Sequence, residues 1–300
     1  MSLIKKKEDL PVSKDLFMLI YGEPASFKTA TALSADKPLL FDLEGGVQRI
    51  NREWQTDTVQ PETYGQLMDV LVEEDLSGYK TLVFDTLLAL NDLCMEEILT
   101  EQPSLRQKDG SPSLKAYGVA KVRFKALVEL LAKMDKTIIF IAHSSEARDG
   151  EDLIIRIDGS TSAVKEITKK LDAMAFISVH GQKHTLNFRP TGKYYAKPIQ
   201  GVPDYIDIPI LEQGQPNTFL QDMVINPAIA YRSQGVQKKD SYATVLKTAK
   251  DLIAKKGVTD EVKAELRKLP KVADSQQQIA EMIKEWETKN AKVLSNSKSN

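Results

Sequence analysis

Cysteine occurs once in this 300-residue sequence, as Cys94, and histidine three times. A single thiol cannot close an intramolecular disulfide and matches no metal-ligand spacing. Cys94 therefore reads as a small buried hydrophobe, and the expected compartment is a reducing cytoplasm. His180 and His184 flank a predicted turn but lack a third ligand, which makes them a poor metal site. No run of 18 apolar residues occurs, and the opening Met-Ser-Leu-Ile-Lys-Lys-Lys lacks the apolar stretch of a signal peptide, so neither a membrane span nor a membrane partner is expected. Charge of one sign is not in excess overall, with 41 Lys/Arg against 42 Asp/Glu. It is unevenly spread, however: residues 238–300 carry 14 basic against 9 acidic residues, and residues 1–237 carry 27 against 33. A basic appendage on an acidic core suits a polyanion or an acidic partner; a solvated helical face gives the same pattern.

Hydrophobic content of 42% and charged content of 28% are those of a globular chain with a sizeable core. After a polar tail over residues 1–15, apolar runs alternate with helical patterns. The runs are Phe17–Tyr21, Pro38–Asp42, Thr81–Asp85 and Thr137–His143; helices are expected over residues 63–74, 88–99 and 114–134. Nearly continuous β-branched and aromatic strands separated by helices predict an α/β fold with a mainly parallel sheet covered on both faces. Residues 172–181 and 184–191 alternate in polarity around a short turn and predict an antiparallel hairpin at the end of the sheet. The core then spans residues 16–200. Residues 101–113 and 144–166 read as long structureless connections, residues 201–237 as an irregular linker rich in Pro, Gly and Gln, and residues 238–300 as a small basic helical region. Its three helices are expected over 241–256, 259–269 and 274–289.

The first run ends in Gly22-Glu23-Pro24-Ala25-Ser26-Phe27-Lys28-Thr29-Ala30. This is one glycine short of the phosphate-binding loop G-x-x-x-x-G-K-[ST], because Phe27 stands where the second glycine belongs. In such a loop successive backbone N–H groups cradle the phosphates of ATP, Lys28 neutralises the β/γ oxygens, and the Thr29 hydroxyl binds Mg²⁺. A side chain at position 27 has to point away from the phosphates, and it narrows the backbone torsions available.

In parallel sheets ligands gather at the carboxyl ends of the strands. The second run ends at Asp42-Leu-Glu44-Gly-Gly, the third at Asp85-Thr86 and the fourth at His143-Ser144. Asp85 closes a Leu-Val-Phe-Asp strand of Walker B type and complements Thr29 at the metal. Glu44 is the candidate to orient and deprotonate the attacking water, with Asp42 as a secondary candidate. His143 lies where a side chain can sense the γ-phosphate.

The order of these motifs resembles the RecA-like P-loop ATPase core, and within it the phage-encoded group related to Sak-type single-strand annealing and recombination proteins. The resemblance rests on Tyr21-Gly-Glu-Pro with Lys28-Thr29, on Pro38–Gly46, on Leu82–Leu87 and on Ile138–His143. It implies catalytic roles for Glu44 and Lys28 and a Walker B role for Asp85. At the position of His143 the family carries a Gln that couples nucleotide state to DNA. It also implies single-stranded DNA as partner, contacted through the two long connections, with Arg106, Lys108, Lys115, Arg148, Arg156 and Lys165 as candidates. Neither connection has an aromatic stacking platform. A ring or filament of identical subunits is implied as well, in which Lys193 or Lys197 reaches a neighbour's γ-phosphate, and the basic C-terminal region is a candidate site for a single-strand-binding protein. The resulting expectation is an ATP-hydrolysing, DNA-stimulated protein of phage recombination or replication. The alternatives are a helicase or helicase-loading motor, and a non-hydrolysing scaffold stabilised by nucleotide.

Overall fold

The structure is a computed structural model that describes Ile4, Leu10, residues 12–234 and Asp260. Residues Ser13–Ala230 form one compact unit, and Met1–Val12 with Tyr231–Asn300 are assigned to another. The expected helices of residues 238–300 lie outside the described residues, Asp260 excepted. Among the described residues no helix is long and apolar enough to cross a membrane.

The main unit is an α/β fold around a mainly parallel sheet of nine strands. Its strands are β1 (Phe17–Gly22), β2 (Pro38–Asp42), β3 (Thr58–Val59), β4 (Thr81–Asp85), β5 (Thr137–Asp149), β6 (Asp152–Ile157), β7 (Ala173–His180), β8 (Lys183–Asn187) and β9 (Tyr205–Ile208). They lie in the order β3-β2-β4-β5-β1-β7-β8-β9, with β6 paired to β5 alone. Strands β3 to β7 along that order are parallel, whereas β7-β8, β8-β9 and β5-β6 are antiparallel. The central runs are apolar throughout because both sheet faces are covered.

Register is fixed by aromatic residues that face the same side of neighbouring strands. Phe41, Phe84 and Phe140 are mutual partners across β2, β4 and β5, and their rings stack at 4.7 and 5.3 Å. A one-residue slip of any of these strands would move its phenylalanine to the other face, out of the stack. That face is packed by helices α2 (Tyr64–Glu73), α3 (Leu87–Glu101), α4 (Leu114–Leu131) and α5 (Thr161–Thr168), through residues such as Leu67, Leu90, Phe124 and Ile167. The opposite face is closed by α1 (Lys28–Ala32) and by a helix over residues 219–230 that contains a π-helical turn at Gln221–Ile225.

Two stretches differ from the sequence expectation. Residues 144–166 are not a structureless loop: β5 continues to Asp149, turns at Gly150 (φ 66°) and returns as β6, followed by α5. The β5 extension over residues 144–149 is polar and largely exposed, so it lacks the apolar run that marks a buried strand, and the short apolar run of β6 over residues 153–155 finds its pairing only through it. Residues 201–230 are likewise no linker. They supply β9 to the sheet and bury Leu220, Val224 and Ala228, although Pro and Gly punctuate the local sequence. The connection 103–113 is short-ranged, with a 3-10 turn at Pro103–Leu105 and a bridge between Arg106 and Pro112.

Candidate nucleotide site

The carboxyl ends of β1, β2, β4 and β5 meet at one sheet edge. Gly22 lies opposite His143, and Asp42 lies opposite Asp85. A cleft of about 520 Å³ opens there between the 24–30 loop and the side chains of Glu44, Asp85 and His143. The candidate residues from four separate chain segments are thus brought together.

Gly22 has no room for a side chain, since a Cβ would stand 2.9 Å from the Ile177 carbonyl oxygen and 3.0 Å from Ser26 Oγ. The turn is closed by Ser26, whose hydroxyl donates to the Glu23 carbonyl at 2.7 Å. Ala25 and Phe27 both take left-handed torsions, with φ of 60° and 64°. Phe27 therefore adopts the torsion for which glycine is favoured, and its ring turns to His184 on β8, centroids 4.4 Å apart. Helix α1 is only five residues long, so the macrodipole contributes little; the loop's N–H groups and Lys28 carry the positive potential.

Lys28 is buried, and its ammonium donates to the Glu23 carbonyl at 2.6 Å. Burial pulls its pKa below the ordinary lysine value, opposed by the nearby Asp85, Glu44 and Glu23. Thr29 Oγ1 donates to Asp85 Oδ2 at 2.6 Å. Burial pushes the Asp85 carboxyl above its usual range; the Thr29 hydrogen bond opposes the shift, and Glu44 and Asp42 add to it. Both shifts come first from burial, and perturbed ionisable groups gathered in a cleft mark a candidate functional site.

Glu44 is held from two sides. Thr86 Oγ1 donates to its Oε1, and His143 Nε2 stands 3.4 Å from its Oε2. Thr86 also caps α3 by accepting from Ala89 N at 3.4 Å, and the Asp85–Thr86 peptide is cis. Nδ1 of His143 is buried with no hydrogen-bond partner among the described residues. Asp42, the secondary candidate, is committed to structure: its carboxylate accepts from Gly46 N, Val47 N and Gln60 Nε2 at 2.8, 3.0 and 2.9 Å. It thereby shapes the loop that carries Glu44, in which Gly45 turns at φ 70°.

Three residues of the site carry no motif. Arg49 and Trp54 line the cleft from two short 3-10 turns after β2, and Thr86 orients Glu44. Only the position of Thr86, directly after Asp85, offered a signal.

The remaining candidates are dispersed. Lys193 is exposed next to β6, where its carbonyl accepts from Ile155 N at 2.6 Å. Lys197 is committed to the Leu171 carbonyl, at the edge of the sheet opposite the cleft. Arg106 is ion-paired to Glu96 at 2.6 Å. Lys108, Lys115, Arg148 and Lys165 are exposed, and Arg156 lies over the Tyr195 ring at 4.4 Å.

Residues 14–198, more than half of the chain, match the family described as AAA domain. The chain belongs to that family. It is thus an AAA-type P-loop ATPase domain, and the match spans every side chain of the cleft named above. No curated protein matches it. The Thr29–Asp85 pair fits Mg²⁺, an ion that takes one or two protein oxygens and completes its shell with water and phosphate. Among the described residues no cluster of three His, Cys, Asp or Glu that could hold a metal ion occurs.

Proposed function

We propose that this AAA domain binds and hydrolyses ATP to change its hold on single-stranded DNA, as a ring or filament of identical subunits serving phage recombination or replication. The observation that carries the reading is the continuity of β5. The same strand bears His143 beside Glu44 and runs on into the exposed β5–β6 ribbon with Arg148 and Arg156. A γ-phosphate that draws on Glu44 and His143 therefore bears directly on the base of the ribbon.

In the reaction, Glu44 accepts the proton of a water attacking the γ-phosphate in line, and Lys28 neutralises the charge that develops. Thr29 and Asp85 would hold Mg²⁺, which would supply further charge compensation on the phosphate oxygens when bound. Arg49 is a cation of the same chain at the cleft; Lys193 is the candidate from a neighbour. On the ribbon, Arg148 meets phosphates, and the Arg156–Tyr195 pair offers the aromatic face on which a base stacks. The basic segment 238–300 is the proposed docking site for a single-strand-binding protein.

The test is ATP turnover with and without single-stranded DNA for wild type, Lys28→Ala and Glu44→Gln, together with DNA anisotropy in ADP and in a non-hydrolysable ATP analogue. DNA-stimulated turnover, lost in both variants, and DNA affinity that depends on the nucleotide are expected. Turnover indifferent to DNA and a DNA affinity indifferent to nucleotide refute the coupling. Strand separation by the purified protein would make it a motor.

A further inference from the structure

We propose that Arg49 is the cation that stabilises the transferring γ-phosphoryl group from within the same chain, so that each site is catalytically complete without a residue from a neighbour. The inference rests on reading the cleft as an ATP site, and it decides between the two cations named above in favour of the same-chain one. The cleft is lined by the carboxylates Asp42, Glu44 and Asp85 and by the cations Lys28 and Arg49. A lining with more carboxylates than cations repels a polyphosphate unless both cations are free to meet it. Lys28 already donates to the Glu23 carbonyl at 2.6 Å. Among the described residues the guanidinium of Arg49 makes no ion pair and no hydrogen bond.

An arginine that shares a cleft with three carboxylates yet pairs with none is available to an anionic ligand, and the structure shows why it stays free. Each carboxylate is engaged elsewhere: Asp42 by Gly46 N, Val47 N and Gln60, Glu44 by Thr86 and His143, and Asp85 by Thr29. The turn that carries Arg49 is also braced from both sides. Val47 is buried beneath it, Arg49 N donates to the Gly46 carbonyl at 3.0 Å, and Gln55 Nε2 donates to the Val47 and Ile50 carbonyls at 3.1 and 3.0 Å. The backbone is thus fixed while the side chain is exposed at the cleft, which is the preorganisation that charge stabilisation requires.

In hydrolysis the water oxygen bonds to the γ-phosphorus, the bond to the bridging oxygen of ADP breaks, and the water's proton passes to Glu44. Arg49 takes no proton. Its planar fork donates to the γ-phosphoryl oxygens and matches their geometry with two N–H groups at once. Lys197, one of the two lysines expected to reach a neighbour's site, is engaged instead with the Leu171 carbonyl.

The experiment compares the full chain as wild type, Arg49→Gln and Arg49→Lys; the residue is exposed, so its replacement spares the core. ATP turnover is measured with Mg²⁺, together with binding of a non-hydrolysable ATP analogue, of ADP, and of the ADP–aluminium fluoride complex that mimics the transition state. Arg49→Gln is expected to lower kcat about 100- to 1,000-fold and to weaken the aluminium fluoride complex comparably, with ADP bound within about threefold of wild type. Arg49→Lys keeps the charge without the fork and should recover part of the loss. Arg49→Gln and Glu44→Gln are then co-expressed under two tags and purified through both. Turnover no higher than the residual activities is expected, since no single chain holds both groups; recovery severalfold above them places Arg49 across an interface and overturns the proposal. Where no doubly tagged protein forms, the chains act singly, and the loss of kcat in Arg49→Gln supports the proposal directly. A kcat for Arg49→Gln within about threefold of wild type, or a wild type that binds the analogue without turning over ATP, overturns the role of Arg49 while the nucleotide site stands. Binding of neither ADP nor the analogue by wild type overturns the nucleotide reading itself.

Discussion

Replacing Thr86 by valine tests how Glu44 is aimed. Thr86 is 1% exposed, and valine matches its shape, so the change removes one hydroxyl without opening a cavity. Two hydrogen bonds go with it: the one donated to Glu44 Oε1 and the one accepted from Ala89 N at 3.4 Å. The second is long, so its loss belongs at the low end of the capping range, about 0.5–1 kcal/mol, which lowers Tm by ~1–4 °C for a domain of this size. The first is a bond to a charged acceptor, worth about 1.5–3 kcal/mol where water is excluded. The Glu44 side chain is 37% exposed, so water partly replaces it, and ~1–2 kcal/mol remains for orientation. That converts to a fall in kcat of roughly 5- to 30-fold, with the ATP Kd unchanged, because the aim of the base matters in the transition state and not in the bound ground state. Steady-state turnover, equilibrium binding of a non-hydrolysable analogue and thermal melts read the three quantities. Thr86→Ser keeps the hydroxyl and should restore kcat, and Thr86→Val in a Glu44→Gln background should add nothing further. If Thr86→Val lowers Tm but keeps kcat within about twofold of wild type, Thr86 is a helix cap alone and the positioning argument fails.

Other substitutions report on the same cleft. Glu44→Gln should lower turnover by ~10²–10⁴-fold while analogue binding persists, measured by single-turnover kinetics. Asp85→Asn should raise the Tm of the nucleotide-free protein near neutral pH, since the folded-state pKa of Asp85 is raised and ionising it costs stability above that value. The advantage should vanish on acidification below the ordinary Asp pKa, where the wild-type group is neutral in both states; melts across pH check the sign. Phe27→Gly relieves a left-handed torsion worth about 1–2 kcal/mol but gives up a ring contact with His184 worth about 0.5–1.5 kcal/mol, so Tm, read by thermal melts, should move by no more than a few degrees.

What could be read from the chain alone follows from how local each signal is. β1, β2, β4, β5 and β7 are continuous apolar runs because both sheet faces are covered, and such runs are visible in a window of a few residues. β3 is two residues long, β6 pairs only with the polar extension of β5, and β9 sits in a Pro- and Gly-rich stretch, so each is made by its partner strand more than by its own sequence. The same division holds within the site. Lys28, Thr29, Glu44, Asp85 and His143 are strand-end residues whose meeting point follows from a parallel sheet. Arg49 and Trp54 arrive from short turns after β2, and no spacing rule reaches them. Asp42 shows the opposite error: it is acidic and near the edge, but three hydrogen bonds, two from its own loop and one from Gln60, commit its carboxylate to shaping the turn that carries Glu44.

The glycine missing from the loop can now be separated into its two physical requirements. A glycine is needed either where a Cβ has no room or where φ is positive, and the two glycine positions of the motif differ in which applies. Gly22 faces the first: the Ile177 carbonyl of β7 lies 2.9 Å from where a Cβ would be, and a sheet strand cannot retreat. Position 27 faces the second, and Phe27 meets it at φ 64°, at a cost its contact with His184 largely offsets. With its ring turned to β8, Phe27 lines both the phosphate cleft and an apolar pocket beside it, at the junction between the two. A residue that departs from the motif in its side chain thus keeps the backbone torsion that the motif's glycine serves, with its ring packed on β8, so the departure leaves the shape of the loop intact.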